Sequence, residues 1–216
     1  MTVELSKTFS LINSWINELR NVEIQHDRMR FRRNMERIGE IAAFEISKDL
    51  ETKEIEIQTP LDTIKAQEIA VQPVITTILR AGVPLFEGIL NYFDKADCGF
   101  VAAYRKHDAN DYFSIKQDYL TCPNIDGRPL IVADPMLATG ASLIEAIKDL
   151  LTNGTPSQLH IVVAIASRQG VETIEKAYPQ AKIWVGAIDK NLTTKGYITP
   201  GLGDAGDLSY GEKLQR

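Results

Sequence analysis

Two cysteines and three histidines are all that this 216-residue chain offers to disulfide chemistry or to a zinc centre. Cys98 and Cys122 lie far apart in the sequence and fit a reducing compartment, not a disulfide framework. His26, His107 and His160 are scattered, with no close Cys, His or Asp spacing, which argues against a structural zinc site. Long apolar runs are missing too: the strongest, IVVAIA at 161–166, is far too short to span a bilayer. The N-terminal MTVELSKTFS has no basic segment followed by an apolar core, so no signal peptide is expected and the cytoplasm is the default location. Positive charge is not in excess, because 24 Lys and Arg face 29 Asp and Glu, for a net charge of −5. An acidic chain of this kind is not a general binder of nucleic acid or of membrane surfaces. Internal repeats and low-complexity tracts are absent as well.

What is present reads as one soluble domain over residues 1–216, with 44% hydrophobic and 25% charged residues. A long helix is expected from Asp27 to Leu50, where Phe31, Met35, Ile38, Ala42 and Ile46 recur at helical spacing. Arg28, Arg30, Arg32, Arg33 and Arg37 crowd its first half. The alternation in KEIEIQ, 53–58, suggests a half-exposed hairpin strand. Five short β-branched runs follow: 74–79, 99–104, 128–133, 159–166 and 181–187. Their nearly continuous hydrophobicity suits strands covered on both faces. Helical stretches at 83–93, 142–153 and 167–178 separate several of them, so the expected fold is α/β, a mostly parallel central sheet flanked by helices. Ligands of such sheets bind beyond the carboxyl ends of the strands.

Two segments fit neither class. Residues 105–124 form a polar connection long enough for a lid, with room for a short hairpin. Residues 189–216 carry glycines at 196, 201, 203, 206 and 211. A Gly-rich tail is usually a frayed terminus, yet this one contains Tyr197, Ile198, Leu202 and Tyr210, which would anchor it.

The turn from Asp134 to Ser142 follows an apolar strand and opens a helix. Helix starts offer unpaired N–H groups and partial positive charge, and the small residues Thr139, Gly140, Ala141 and Ser142 let a phosphate approach the backbone. The plainer reading is that Thr139 or Ser142 caps the helix. Asp134 favours a ligand with both phosphate and hydroxyl groups, such as a ribose 5-phosphate. Neither a Gly-Lys-Ser/Thr phosphate loop nor a Gly-x-Gly-x-x-Gly fingerprint is present.

DPMLATGAS, 134–142, resembles the 5-phosphoribosyl 1-pyrophosphate (PRPP) motif of the type I phosphoribosyltransferases, in the Asp-Pro form of those that act on uracil. ILRAG at 78–82 resembles the family's pyrophosphate loop, and Tyr104-Arg105 the arginine before its flexible hood. GYITPGLGDAGD at 196–207 resembles the base-binding C-terminal segment, the most specific of these signatures. RFRR and FEISKDLETK, within 30–53, resemble the family's N-terminal helix and following strand, so the likeness covers residues 27–211. The resemblance implies formation of UMP and pyrophosphate from uracil and PRPP with Mg²⁺, in pyrimidine salvage. It implies that Arg80 and Arg105 hold pyrophosphate, that Asp134 faces the ribose hydroxyls, and that Pro135, Met136, Leu137, Ala138, Thr139, Gly140, Ala141 and Ser142 follow it along the PRPP site, 138–142 cradling the 5-phosphate. Ile198, Gly203, Asp204 and Ala205 would form the uracil pocket, with Asp204 also near PRPP. Asp134, Asp204 and Arg105 are the residues it makes catalytic. No protein metal site is implied, the Mg²⁺ arriving on PRPP. The resemblance further admits GTP as an effector and a homodimer or higher homo-oligomer. Ala141 stands where the family often has a second glycine, a harmless change only if its φ is negative.

Two other functions compete: an RNA-binding regulator on the same fold, and a phosphoribosyltransferase for a purine. The uracil-type tail and the acidic charge speak against them. The arginine cluster reads as a salt-bridged helix face or a subunit contact before it reads as a nucleotide site. His26 and His160 read as structural.

Overall fold

The computed structural model describes residues 1–107 and 113–213, with side chains throughout except at 103–118. In chain order the elements are β1 (Thr2–Glu4), α1 (Leu11–Arg20), α2 (Arg28–Ser47), β2 (Thr52–Gln58), β3 (Thr63–Ile69), β4 (Val74–Leu79), α3 (Val83–Leu90), β5 (Asp97–His107), β6 (Phe113–Thr121), β7 (Pro129–Ala133), β8 (Met136–Leu137), α4 (Ala141–Leu150), β9 (Gln158–Ser167), α5 (Arg168–Ala177), β10 (Lys182–Asp189), β11 (Asn191–Leu192), β12 (Ile198–Thr199) and α6 (Ala205–Tyr210). The central sheet runs β1-β10-β9-β7-β4-β5-β6, with β8 added to β9. Every pairing in it is parallel except β5 with β6.

Both faces of this sheet are covered, which is why its strands read as continuous apolar runs. Along β9, Val162 and Ala164 join the core under α1, α2 and α3, while Ile161 and Val163 join the core under α4 and α5. Cys98 packs against the first core and Cys122 against the second, so the two free thiols sit on opposite faces.

α2 begins where Asp27 accepts the Arg30 N–H at 3.0 Å, and it buries the apolar stripe expected of it. It packs closely on α3. A Cβ on Gly39 would run into the Leu85 carbonyl, and one on Gly88 into that of Glu36, so these helices meet backbone to backbone. Two further elements, β1 and α1, lie outside the expectations from sequence. α1 starts in a capping box, with Ser10 N–H donating to Asn13 Oδ1 at 2.8 Å, and it buries Ile12, Ile16 and Leu19. The 53–58 strand pairs with β3 in an antiparallel hairpin that is barely covered: Leu61 at its tip is 96% exposed. Residues 105–124 contain the antiparallel partner β6, so a hairpin does occur there.

Candidate active site

β4 lies inside the sheet, between β7 and β5. The chain first moves to β5 on one side and then returns to β7 on the other. The loops that leave β4 and β7 therefore part from each other beside the Thr77–Ala133 pair, and such a switch point is where open α/β sheets leave a crevice. Arg80 follows β4, and Asp134 follows β7. Thr77 Oγ1 donates to the Ala133 carbonyl at 3.1 Å, tying the two strand ends together.

The Asp134–Ser142 turn is held to the sheet by its own backbone. The Pro135 carbonyl accepts from Ala164 and Ile165 N–H at 3.1 and 3.0 Å, and β8 then pairs with β9. Ser167 Oγ donates to the Ala138 carbonyl at 2.6 Å. Gly140 has φ +87°, a left-handed conformation that favours glycine, and Ala141 is already helical. The alanine therefore sits where a Cβ causes no strain. The capping expected of Thr139 or Ser142 does not occur: among the described residues no side chain caps α4, and the Ala141 N–H reaches Thr139 Oγ1 only at 3.5 Å. The first-turn N–H groups are left for a ligand. Asp134, Met136, Leu137, Ala138, Thr139, Gly140, Ser142 and Leu143 line a cavity of about 160 Å³ there. That is smaller than the roughly 300–1,000 Å³ of a whole drug-sized site and suits one end of a substrate. Asp134 is partly exposed and lines this cavity. Burial pushes its pKa up to about 7, against a lowering hydrogen bond from the Met136 backbone.

Among the described residues the C-terminal segment is tied to the body of the fold. Arg20 makes two bonds to Asp189, at 2.7 and 2.8 Å, and a third to the Gly201 carbonyl at 2.9 Å. Asp189, only 7% exposed, also accepts the Gly201 N–H at 2.9 Å. Buried Gln25 donates to the Leu202 carbonyl at 3.1 Å. Ile198, Leu202 and Ala205 are buried in the main core, whereas Tyr197 is 60% exposed and anchors nothing. These ties bring the segment over the other two loops. A Cβ on Gly196 would lie 3.8 Å from Thr139 Cγ2, and one on Gly206 would lie 3.7 Å from Ala81 Cβ.

Within the segment, Gly203 has φ +97° and is exposed, and Asp204 caps α6. Asp204 Oδ1 accepts from the N–H groups of Gly206 and Asp207 at 2.8 and 3.0 Å, and Oδ2 faces Lys213 Nζ at 3.4 Å. Burial raises the Asp204 pKa, but the Asp207 N–H and the Lys213 charge outweigh it and leave the carboxyl below its ordinary value. Arg80 Nη2 lies 3.1 Å from Asp207 Oδ1. Arg105 has its backbone in β5, and its side chain lies outside the described residues.

A larger hollow, of about 520 Å³, lies at the other end of the sheet, where β9 and β10 begin. Its polar groups are occupied with one another: Lys182 with Asp49, Gln158 with His160 and Asp49. His160 accepts from Trp184 Nε1 at 3.2 Å, and burial drops its pKa to about 4, so it is a neutral core histidine. The small cavity, not this one, adjoins the convergent loops. His26 is exposed and not part of the core.

The family model for uracil phosphoribosyltransferase matches residues 7–211. The chain belongs to the uracil phosphoribosyltransferase family. A uracil phosphoribosyltransferase of Porphyromonas gingivalis is 47% identical over 213 residues, spanning 98% of this chain and 99% of that one. The solved structure of the AQ2163 protein of Aquifex aeolicus is 31% identical and superposes with a TM-score of 0.88 over 100% of each chain. A hypoxanthine phosphoribosyltransferase of Trypanosoma cruzi, 14% identical with a TM-score of 0.50 over 74% of this chain and 77% of its own, shares the fold. Sequence motifs indicate the three uracil-phosphoribosyltransferase loops. They do not indicate Arg20, Gln25 and Asp189, the residues that fix the third loop, because nothing in their local pattern announces a partner about 170 residues away.

Proposed function

We infer that this chain joins uracil N1 to the C1′ carbon of PRPP, breaking the bond to pyrophosphate and releasing UMP, pyrophosphate and the N1 proton. Family membership over nearly the whole chain supports the reaction. The observation that carries the residue roles is the convergence of the Arg80 loop, the Asp134–Ser142 turn and the 196–207 segment on one end of the sheet. In this reading the open first turn of α4 takes the 5-phosphate, and Asp134 takes the ribose hydroxyls. Arg80, with Arg105, takes the pyrophosphate. Uracil shows a carbonyl, an N–H and a second carbonyl along one edge, which backbone groups of Ile198, Gly203 and Ala205 match. Cytosine would leave a polar group unpaired there, which is costly.

The transition state resembles an oxocarbenium ion, and uracil N1 itself displaces pyrophosphate, so no protein nucleophile is needed. Positioning and charge stabilisation do most of the work. Mg²⁺ carried on pyrophosphate oxygens would neutralise the leaving group. Such a Mg²⁺ would draw its ligands from substrate and water, as Mg²⁺ commonly does, with no protein cage. The 105–124 segment belongs to the proposal as a hood that excludes water.

We also read the chain as one catalytic domain that forms a homodimer or higher homo-oligomer. Exposed apolar side chains on the β2–β3 hairpin and α2, Leu61 and Phe44 among them, support an assembly. GTP as an effector rests on the resemblance alone. The arginine face of α2 lends it little, since Arg30 pairs with Glu18, Arg33 with Glu36 and Glu40, and Arg32 with the Ser209 carbonyl. No helix of the described residues is long and apolar enough to cross a membrane. The deciding assay supplies labelled uracil, PRPP and Mg²⁺ and identifies the product. UMP is expected; its absence, with tight RNA binding instead, would overturn the reading. Sedimentation with and without GTP tests the assembly and the effector.

A further inference from the structure

One acidic side chain faces the site without a place in the reaction above. Asp207, 30% exposed at its side chain, sets its Oδ1 3.1 Å from Nη2 of Arg80, which is itself 43% exposed. The contact uses one oxygen and one nitrogen. Among the described residues the guanidinium's other contact is the Gly211 carbonyl, 3.5 Å from both Nη1 and Nη2. The helix that carries Asp207 is held at both ends by other groups. Asp204 Oδ1 accepts the Asp207 N–H, and Arg32 donates to the Ser209 carbonyl at 2.8 Å while lying 5.9 Å above the Tyr210 ring. Asp207 is therefore not needed to keep α6 in place.

We propose that Asp207 is a positioning residue that holds the Arg80 guanidinium before PRPP binds and gives it up to pyrophosphate when it does. The proposal rests on the assignment of Arg80 to pyrophosphate. A guanidinium binds best through a planar two-point fork, which a pyrophosphate offers and this single-oxygen contact does not. An exposed pair of this geometry is weak and readily exchanged. Once Arg80 turns to pyrophosphate, the Asp207 carboxylate is left beside a multiply charged anion and repels it. Asp207 thus keeps Arg80 pre-aimed and its charge covered, at the expense of pyrophosphate affinity.

The test is calorimetric titration of inorganic pyrophosphate with Mg²⁺ into the wild type, Asp207→Asn, Asp207→Glu, Arg80→Ala and the Arg80→Ala/Asp207→Asn double variant. Asp207→Asn is expected to bind pyrophosphate roughly two- to fivefold more tightly, the scale of an exposed ion pair. Asp207→Glu, which keeps the charge, is expected to stay near the wild type, and Arg80→Ala to bind more weakly. In the Arg80→Ala background the Asn substitution is expected to gain less, because competition for the guanidinium is gone and only the direct repulsion remains; an equal gain there refutes the exchange. In turnover, KM for PRPP falls in Asp207→Asn while KM for uracil holds. If Arg80→Ala weakens pyrophosphate binding but Asp207→Asn leaves it unchanged or weaker, the exchange is refuted and Arg80 keeps its assignment. If Arg80→Ala has no effect, both readings fall.

Discussion

The phosphate turn and the C-terminal segment reach the same crevice by opposite means. The turn is built from neighbours. Its strand, its glycine and its helix all lie within residues 129–150, and β9 beside it supplies the remaining bonds. The segment at 196–211 contains only a two-residue strand and a six-residue helix. Side chains from other elements place it: Arg20 and Gln25 from the N-terminal helical region, Arg32 from α2 and Asp189 from β10. A locally built site tolerates change elsewhere in the molecule, whereas one hung on remote contacts is lost with any of them.

The largest expected effect comes from Asp204, whose helix cap and proposed substrate role are separable. Asp204→Ala removes carboxylate and cap together, and turnover is expected to drop about 100-fold or more. Asparagine caps helices about as well as aspartate. If Asp204→Asn loses as much turnover as the alanine variant, the charge acts on substrate; recovery in the asparagine variant would reduce Asp204 to a cap. Next comes Arg20→Ala, which leaves Asp189 buried and unpaired. A loss of about 3 kcal/mol in unfolding free energy is expected, measurable by denaturant titration. If the contrast between the two regions holds, KM for uracil rises in this variant and pyrophosphate affinity does not.

Gly140→Ala probes the turn. A side chain at φ +87° costs about 1 kcal/mol, and the added Cβ would meet Thr173 Cγ2 at 3.3 Å. Weaker PRPP use with uracil recognition intact is the expected result; an unchanged KM for PRPP would mean that the turn does not bind phosphate. The smallest effect concerns Asp134. Burial raises its pKa from 3.8 to about 7, so between those values the folded chain holds a proton that the unfolded chain has lost. Its contribution to stability is full below about pH 4 and disappears as the pH rises through about 7. Asp134→Asn is therefore expected to melt on the order of 3 °C above the wild type at about pH 8 and no higher at about pH 4. Parallel melting curves at both pH values would contradict a desolvated carboxyl.

Short-range pattern made the sheet and the first region readable. The five apolar runs became β4, β5, β7, β9 and β10, because strands covered on two faces need such runs. The stripe of Phe31, Met35, Ile38, Ala42 and Ile46 became the buried face of α2. By contrast, β1 and α1 escaped notice. β1 has only three residues, and its edge place depends on β10 across the whole chain. α1 carries its signal in Ser10 and Asn13, a capping pair that becomes legible only when the helix behind it is known.

By itself, then, the sequence determined which strands are buried, where the phosphate turn lies and which family the motifs belong to, since each depends on residues within a turn or two of one another. Tertiary structure alone decided that the glycine-rich tail is ordered, that Arg20 and Asp189 hold it, and that Asp207 meets Arg80. The Arg20–Asp189 and Arg80–Asp207 contacts join residues more than a hundred positions apart, and only the folded sheet brings them within hydrogen-bonding distance.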